Sequence, residues 1–147
     1  MITIIQRVNT AKVTVNHQVL GSIDTGIMAL VAVEKVDTEK EADRLLERIL
    51  NYRIFPDENG RMNLSLRAIH GGLLLVPQFT LAADTNTGNR PSFTGSASPE
   101  KGRELFTYLQ ETAKTVYPGA QFGQFGADMQ VELINDGPVT FTLRVSG

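Results

Sequence analysis

Cysteine is absent from the 147 residues, which excludes disulfide staples, a thiolate nucleophile and cysteine-ligated zinc together. Histidine is almost absent too, with His17 and His70 the only imidazoles. Neither a metal nor another cofactor is expected on this donor set. Long apolar runs are also missing. None approaches the ~20 residues that a bilayer-crossing helix needs, and the start MITIIQRVNTAKV lacks the charged opening and small-residue cleavage site of a signal peptide. A cytoplasmic protein, mature from Met1 and without membrane contact, is expected. Strong charge of either sign is lacking as well. The 14 basic and 16 acidic residues leave a net −2, so there is no global positive field for binding long nucleic acids, and any such contact must be local.

What is present reads as one α+β domain over residues 1–147, long enough to bury a real core. Residues 2–8 and 11–16 are short, β-branched segments. Gln18–Asp24 and Gly26–Glu34 repeat that character, with Asn16-His17 and Thr25-Gly26 as turn signals, which predicts a β-meander. Thr38 and Glu41 have capping-box spacing, and Ala42, Leu45, Leu46, Ile49 and Leu50 fall on one face of a helix over about 39–52. Residues 56–60 are turn chemistry, and Leu73–Val76 begin a buried strand continuing to Phe79, weakened locally by Pro77, which has no N–H to donate. Residues 82–97 form a long polar loop of the kind that carries function. Ser98 caps a second helix with Pro99 at its first position and Leu105, Phe106, Leu109, Ala113 and Val116 inward. Two further strands are expected over 127–135 and 138–145. Many strands with two separated helices imply curved antiparallel sheets with helical cover.

Several motifs have bland explanations. Ser98 and Lys101 spell S-x-x-K, but the companion elements of penicillin-recognising enzymes are missing and a capping serine accounts for it. Asn63-Leu64-Ser65 is a glycosylation sequon by spelling only. His17 and His70 read as solvated polar residues, since no Ser-x-Gly elbow or metal-ligand spacing accompanies them. Asp136-Gly137 between two strands reads as a hairpin turn, complicated by Pro138 at the start of the outgoing strand.

Three segments taken together are distinctive: Gln78-Phe79-Thr80-Leu81, Arg90-Pro91-Ser92-Phe93, and Asn135-Asp136-Gly137-Pro138-Val139-Thr140. The chain resembles the D-aminoacyl-tRNA deacylases, also known as D-tyrosyl-tRNA deacylases, from Gln6-Arg7-Val8 to its C-terminus. It departs from them at Pro77, where a serine usually precedes the glutamine. The resemblance implies a barrel-like core with helices outside and a homodimer with active sites at the subunit interface. It implies a hydrolase that cuts the ester of D-aminoacyl-tRNA, and of glycine mischarged on tRNA, recognising the acceptor end.

The same resemblance places Gln78, Phe79 and Thr80 at the reacting carbonyl, with the amides of Phe79 and Thr80 as oxyanion donors. Thr80 serves either as positioner, with water attacking under help from the tRNA 2'-hydroxyl, or as nucleophile, for which no base is evident. Gly137 and Pro138, joined by a cis peptide and reaching into the partner's pocket, would reject L-aminoacyl groups by shape. Arg7 would hold that gate unless it is an ordinary exposed strand arginine. Phe125 and Met129 would receive the terminal adenosine or else pack in the core. Asn135 and Thr140 belong to the substrate-binding motif, and Arg90 would touch phosphate. Two other readings compete: a non-enzymatic nucleic-acid-binding barrel, disfavoured by the lack of a basic-aromatic stripe, and a serine esterase built on Ser92 or Ser98.

Overall fold

The computed structural model describes residues 1–147. In chain order the elements are β1 (Ile2–Val15), β2 (Gln18–Ile23), β3 (Gly26–Ala32), α1 (Glu39–Asn51), β4 (Phe55–Pro56), β5 (Met62–Leu64), α2 (Leu66–Ile69) and β6 (Gly72–Pro77). A 3-10 turn over Phe79–Ala82 follows, then α3 (Pro99–Val116), β7 (Gln121–Phe122) and β8 (Gln130–Arg144).

β1 is the strand around which the sheet is assembled. β8 runs antiparallel to it from Ile2 opposite Arg144 to Thr14 opposite Gln130. The remaining edge is shared: β2 pairs with residues 11–15 and β3 with residues 2–8. The expected meander does not form, because the bend at Asp24 and Thr25 keeps the chain moving along the same edge of β1 instead of folding back on β2.

The two N-terminal segments are one strand. Val8 pairs with Asn135 and Thr10 with Ile134, which leaves Asn9 as an extra residue. Such a bulge shifts the two-residue alternation by one. As a result Val8 on one side of Asn9, and Ala11 and Val13 on the other, all enter one apolar cluster with Ile23, Met28 and Leu74. The same shift breaks the sequence alternation into what reads as two strands.

The α+β class with a barrel-like sheet and helical cover holds, but the sheet is mixed. β3 and β6 are parallel, as are β6 and β7, since the chain between β3 and β6 crosses over through α1. Alternate residues of β3 and β6 face opposite clusters. Ile27, Ala29, Val31, Leu73 and Leu75 pack beneath α1 and α3, whereas Met28, Leu74 and Val76 face the other side. Burial on both faces is why the β6 sequence is continuously apolar.

β6 ends at Pro77, and Phe79 begins the 3-10 turn instead of extending the strand. Gln78 N–H donates to the Val31 carbonyl at 2.8 Å. By alternation residue 77 would donate away from β3, where β7 has already ended at Phe122, so proline there costs no ladder bond.

The α1 capping box forms between Thr38 and Glu41. The hydrogen bond from the Thr38 hydroxyl is the first reason the Glu41 carboxyl lies below the usual carboxylate range. In α3 the Ser98 hydroxyl accepts from the Lys101 amide at 3.2 Å, and Leu105, Phe106, Leu109 and Ala113 are buried. Val116, expected on that face, is 42% exposed because it ends the helix beyond the core. Ser65 caps α2, as Ala68 N–H donates to its hydroxyl at 3.1 Å. His17 takes a positive φ of 66° in the β1–β2 turn, and His70 a φ of 53° at the end of α2; both are exposed. The elements unseen in the sequence (β4, β5, α2 and β7) are each two to four residues long, too short for a periodic pattern.

One buried ion pair fixes the loop after β3. The Met1 ammonium, fully buried, donates to Asp37 Oδ1 at 2.6 Å, Glu34 Oε1 at 3.2 Å and the Val145 carbonyl at 2.8 Å. The end of the long loop is tied beside it, since Lys35 N–H donates to the Gly95 carbonyl at 3.1 Å and Ala97 N–H to that of Val33 at 3.2 Å. This sets the start of α3 against the end of β3.

Parallel pairing begins where Gly26 meets Gly72, and a Cβ on Gly26 would lie 2.0 Å from the Gly72 carbonyl oxygen. No side chain can relieve a clash with backbone. Gly26→Ala is therefore expected to destabilise by about 3 kcal/mol or more, at the upper end of overpacking costs; an unchanged urea midpoint would contradict the close approach.

Candidate active site

The carboxyl ends of β3 and β6, the 3-10 turn, the first turn of α3 and the segment before β8 enclose a pocket of about 620 Å³. Gln78, Phe79 and Thr80 form one wall and Phe125 and Met129 another. No charged side chain lines it. Besides Glu41, the groups with displaced titration are Asp57, lowered first by the Arg61 amide, Tyr108, raised first by its bond to Asp43, and Tyr117, raised by desolvation. None of them lines the pocket, so it holds no tuned acid or base.

It does hold backbone donors. Phe79 and Thr80 are the first two residues of the 3-10 turn, and the first N–H groups of any helical turn have no partner within it. Gln78, the residue before the turn, provides no side-chain cap, and neither the Phe79 nor the Thr80 N–H is bonded elsewhere in the chain. Gln78 instead donates from Nε2 to the Thr80 hydroxyl at 3.1 Å, which orients that oxygen. Two adjacent unspent amides on an uncharged wall can stabilise an oxygen that gains negative charge.

Phe125 and Met129 are partly buried pocket residues. The Met129 thioether is located by the Gln124 amide, which donates to Sδ at 3.4 Å. Sequence reasoning missed the opposite wall: Ala97, Gly102 and Phe106 reach the pocket beside Val31 only because the tied loop brings α3 to the end of β3. A Cβ on Gly102 would lie 3.0 Å from the Phe125 ring, so the bare backbone there lets the ring seat.

The remaining motif residues assemble elsewhere. Asn135-Asp136-Gly137-Pro138 is not a hairpin, because the chain on both sides pairs antiparallel with β1 as parts of β8. Gln6 pairs with Thr140 and Val8 with Asn135, so two steps along β1 are matched by five along β8 and the excess loops outward. Within this loop the Gly137–Pro138 peptide is cis. Gly137 has a φ of 130°, and a Cβ there would meet Val139 Cγ2 at 2.7 Å and an Arg7 nitrogen at 3.1 Å.

The loop is clasped from both ends. Asn135 accepts from the Val139 amide at 2.9 Å and donates to the Thr140 hydroxyl at 2.8 Å. Arg7 is no exposed strand arginine, its side chain being 13% accessible. It donates to the Asp136 carbonyl at 3.2 Å and the Ile54 carbonyl at 2.7 Å. Gly137 and Pro138 are exposed at the crest, and none of Arg7, Asn135, Gly137, Pro138 or Thr140 lines the pocket of its own chain. Arg90 lies in an exposed loop closed by paired amide–carbonyl bonds between Asp84 and Ser92, and is not a pocket residue.

Residues 4–144 match the model of the family described as D-Tyr-tRNA(Tyr) deacylase. The chain belongs to the D-aminoacyl-tRNA deacylase family. The D-aminoacyl-tRNA deacylase of Pseudomonas putida is 57% identical over 142 residues, covering 97% of this chain and 98% of that protein. The one from Cupriavidus pinatubonensis is 56% identical over 150 residues, covering 99% and 96%. Among solved structures, one titled c-Myc DNA Unwinding Element Binding Protein superposes with a TM-score of 0.94 at 35% identity, covering the whole of both chains. A probable eukaryotic D-amino acid tRNA deacylase superposes with a TM-score of 0.83 at 14% identity over 97% of each chain, a likeness of fold. No helix is long and apolar enough to cross a membrane.

Asn135→Ala removes both side-chain bonds that span the loop, and each is worth about 1 kcal/mol. Amide exchange at Val139 is expected to quicken roughly tenfold or more while the β6 amides keep their protection; unchanged exchange at Val139 would show that the clasp does not hold the loop.

Proposed function

We propose that this chain, as one catalytic domain over residues 1–147, hydrolyses the ester of D-aminoacyl-tRNA and of glycine mischarged on tRNA, in the cytoplasm and as a homodimer. The observation that carries the reading is the pair of unspent Phe79 and Thr80 amides on the wall of an uncharged pocket. An aminoacyl ester is already activated, so its cleavage needs a positioned nucleophile and donors for the oxyanion. Water adds to the carbonyl with help from the tRNA 2'-hydroxyl, and the two amides take the developing charge. The acyl–oxygen bond then breaks, releasing the free amino acid and the tRNA 3'-hydroxyl. Thr80 acts as a positioner because no histidine, carboxylate or lysine lines the pocket to serve as its base. The apolar walls at Phe125 and Met129 suit the terminal adenosine, with stacking on Phe125 worth ~1 to 3 kcal/mol.

Chirality is selected by main chain. Gly137 and Pro138 stand exposed on a clasped loop apart from their own pocket, an arrangement suited to entering the pocket of a second copy. Carbonyls there would engage the substrate α-amino group, and an L side chain would collide with backbone. Glycine has no side chain to collide and passes. Arg90 is assigned an outer phosphate contact. The name of one structural relative points to DNA binding; a net charge of −2 here and the absence of cations in the pocket favour catalysis on a nucleotide end.

Incubation with matched D-, L- and glycyl-tRNA is expected to release D-amino acid and glycine and to leave the L ester intact. Equal hydrolysis of the D and L esters would refute the gate, and binding without turnover would favour the non-enzymatic barrel. Thr80→Val is expected to slow single-turnover hydrolysis by no more than about 10²-fold; a loss near 10⁶, the scale of a removed nucleophile, would reverse its assignment.

A further inference from the structure

The pocket lacks charge, yet its proposed occupant carries a phosphodiester just beyond the terminal nucleoside. Of the 14 basic side chains, Lys35, Lys40, Arg48, Arg61, Arg90 and Arg103 make no hydrogen bond or ion pair through their charged groups. Of these six, Arg103 alone lies over an aromatic ring of the pocket wall. Its guanidinium carbon lies 5.1 Å from the centroid of the Phe125 ring, and one of its terminal nitrogens is 3.4 Å from where a Cβ on Gly126 would stand. Phe125 and Gly126 both line the pocket. Gly126 has a φ of 78° and no side chain to cover the guanidinium.

We propose that Arg103 is a binding residue for the acceptor-strand backbone, receiving a phosphate next to the nucleoside seated at Phe125. This rests on the reading of the pocket given above. A guanidinium held over a ring by cation–π attraction spends none of its five N–H donors on that contact. That planar fork matches two phosphate oxygens. Arg103 is exposed, so its donors are hydrated until the substrate arrives and the contact costs the fold nothing. Lys101, two residues away, is not equivalent, because its ammonium is bonded to the Lys35 carbonyl. Arg103 thus provides one charge at one place, consistent with local recognition by a chain of slight net charge.

The test compares a D-aminoacylated acceptor minihelix with D-aminoacyl-adenosine, which has the ester and base but no phosphate. Arg103→Gln is expected to raise KM for the minihelix about tenfold, the scale of one charge-assisted hydrogen bond, with kcat within twofold. The adenosine ester should be cleaved as by the wild type. The slope of log affinity against log salt should fall by about 0.7, the value for one single-strand phosphate, and Arg103→Lys should restore most of it. Equal weakening on both substrates would overturn the proposal, since Arg103 would then act through the Phe125 ring. An unchanged KM on the minihelix would overturn it as well. Wild-type protein that cleaves neither ester would instead refute the reading of the pocket, and this inference with it.

Discussion

The sheet and the Gly137–Pro138 loop both depend on the pairing of β1. One edge of that strand is filled along its whole length by β8 and the other is divided between β2 and β3. Strict alternation over so long a strand would turn Ala11 and Val13 away from the cluster they share with Val8. Two irregularities interrupt the β1–β8 ladder. The extra residue at Asn9 re-phases the alternation so that Ala11 and Val13 remain inside. The excess residues opposite Arg7 are expelled from the ladder as the Gly137–Pro138 loop. The first defect closes the core, and the second projects main chain into solvent at a defined point.

The proposed gate needs a rigid protruding loop, and this one is held by hydrogen bonds from Arg7 and Asn135. Arg7 is nearly buried and spends its donors on the Asp136 and Ile54 carbonyls, while Asn135 satisfies the amide and hydroxyl on the far side of the loop. Val139 is buried in the main core directly after the crest. The loop is therefore anchored by packing on one side and hydrogen bonds on the other, with Gly137 and Pro138 exposed at its tip.

The pocket follows a matching economy. Its polar equipment is backbone, with two amides left over by the start of a 3-10 turn, and the side chains around them are small, apolar or neutral. Charge is kept out of the lining, and the Arg103 guanidinium lies over the Phe125 ring. An interior without ions suits an activated ester, for which preorganised donors matter more than a reactive side chain.

Much of this was legible in the residues. The capping box at Thr38, the Ser98 cap and the periodic faces of α1 and α3 are local, and helices follow from contacts three and four residues apart. The motif residues were identifiable because Gln78-Phe79-Thr80 and Asn135 to Thr140 are distinctive spellings. What neighbours in sequence could not decide was pairing. Asn135 to Pro138 carries the chemistry of a hairpin turn, and only the presence of β1 alongside both flanks converts it into an outward loop. The parallel register of β6 on β3, the bend that replaced a meander, and the seating of Gly102 and Arg103 at Phe125 are likewise contacts between distant segments. The chain by itself determined which residues are turn-formers, caps and apolar faces; the tertiary structure alone decided which edges meet, because a strand has the same hydrogen-bonding groups on both edges and its partner is chosen by the burial that results.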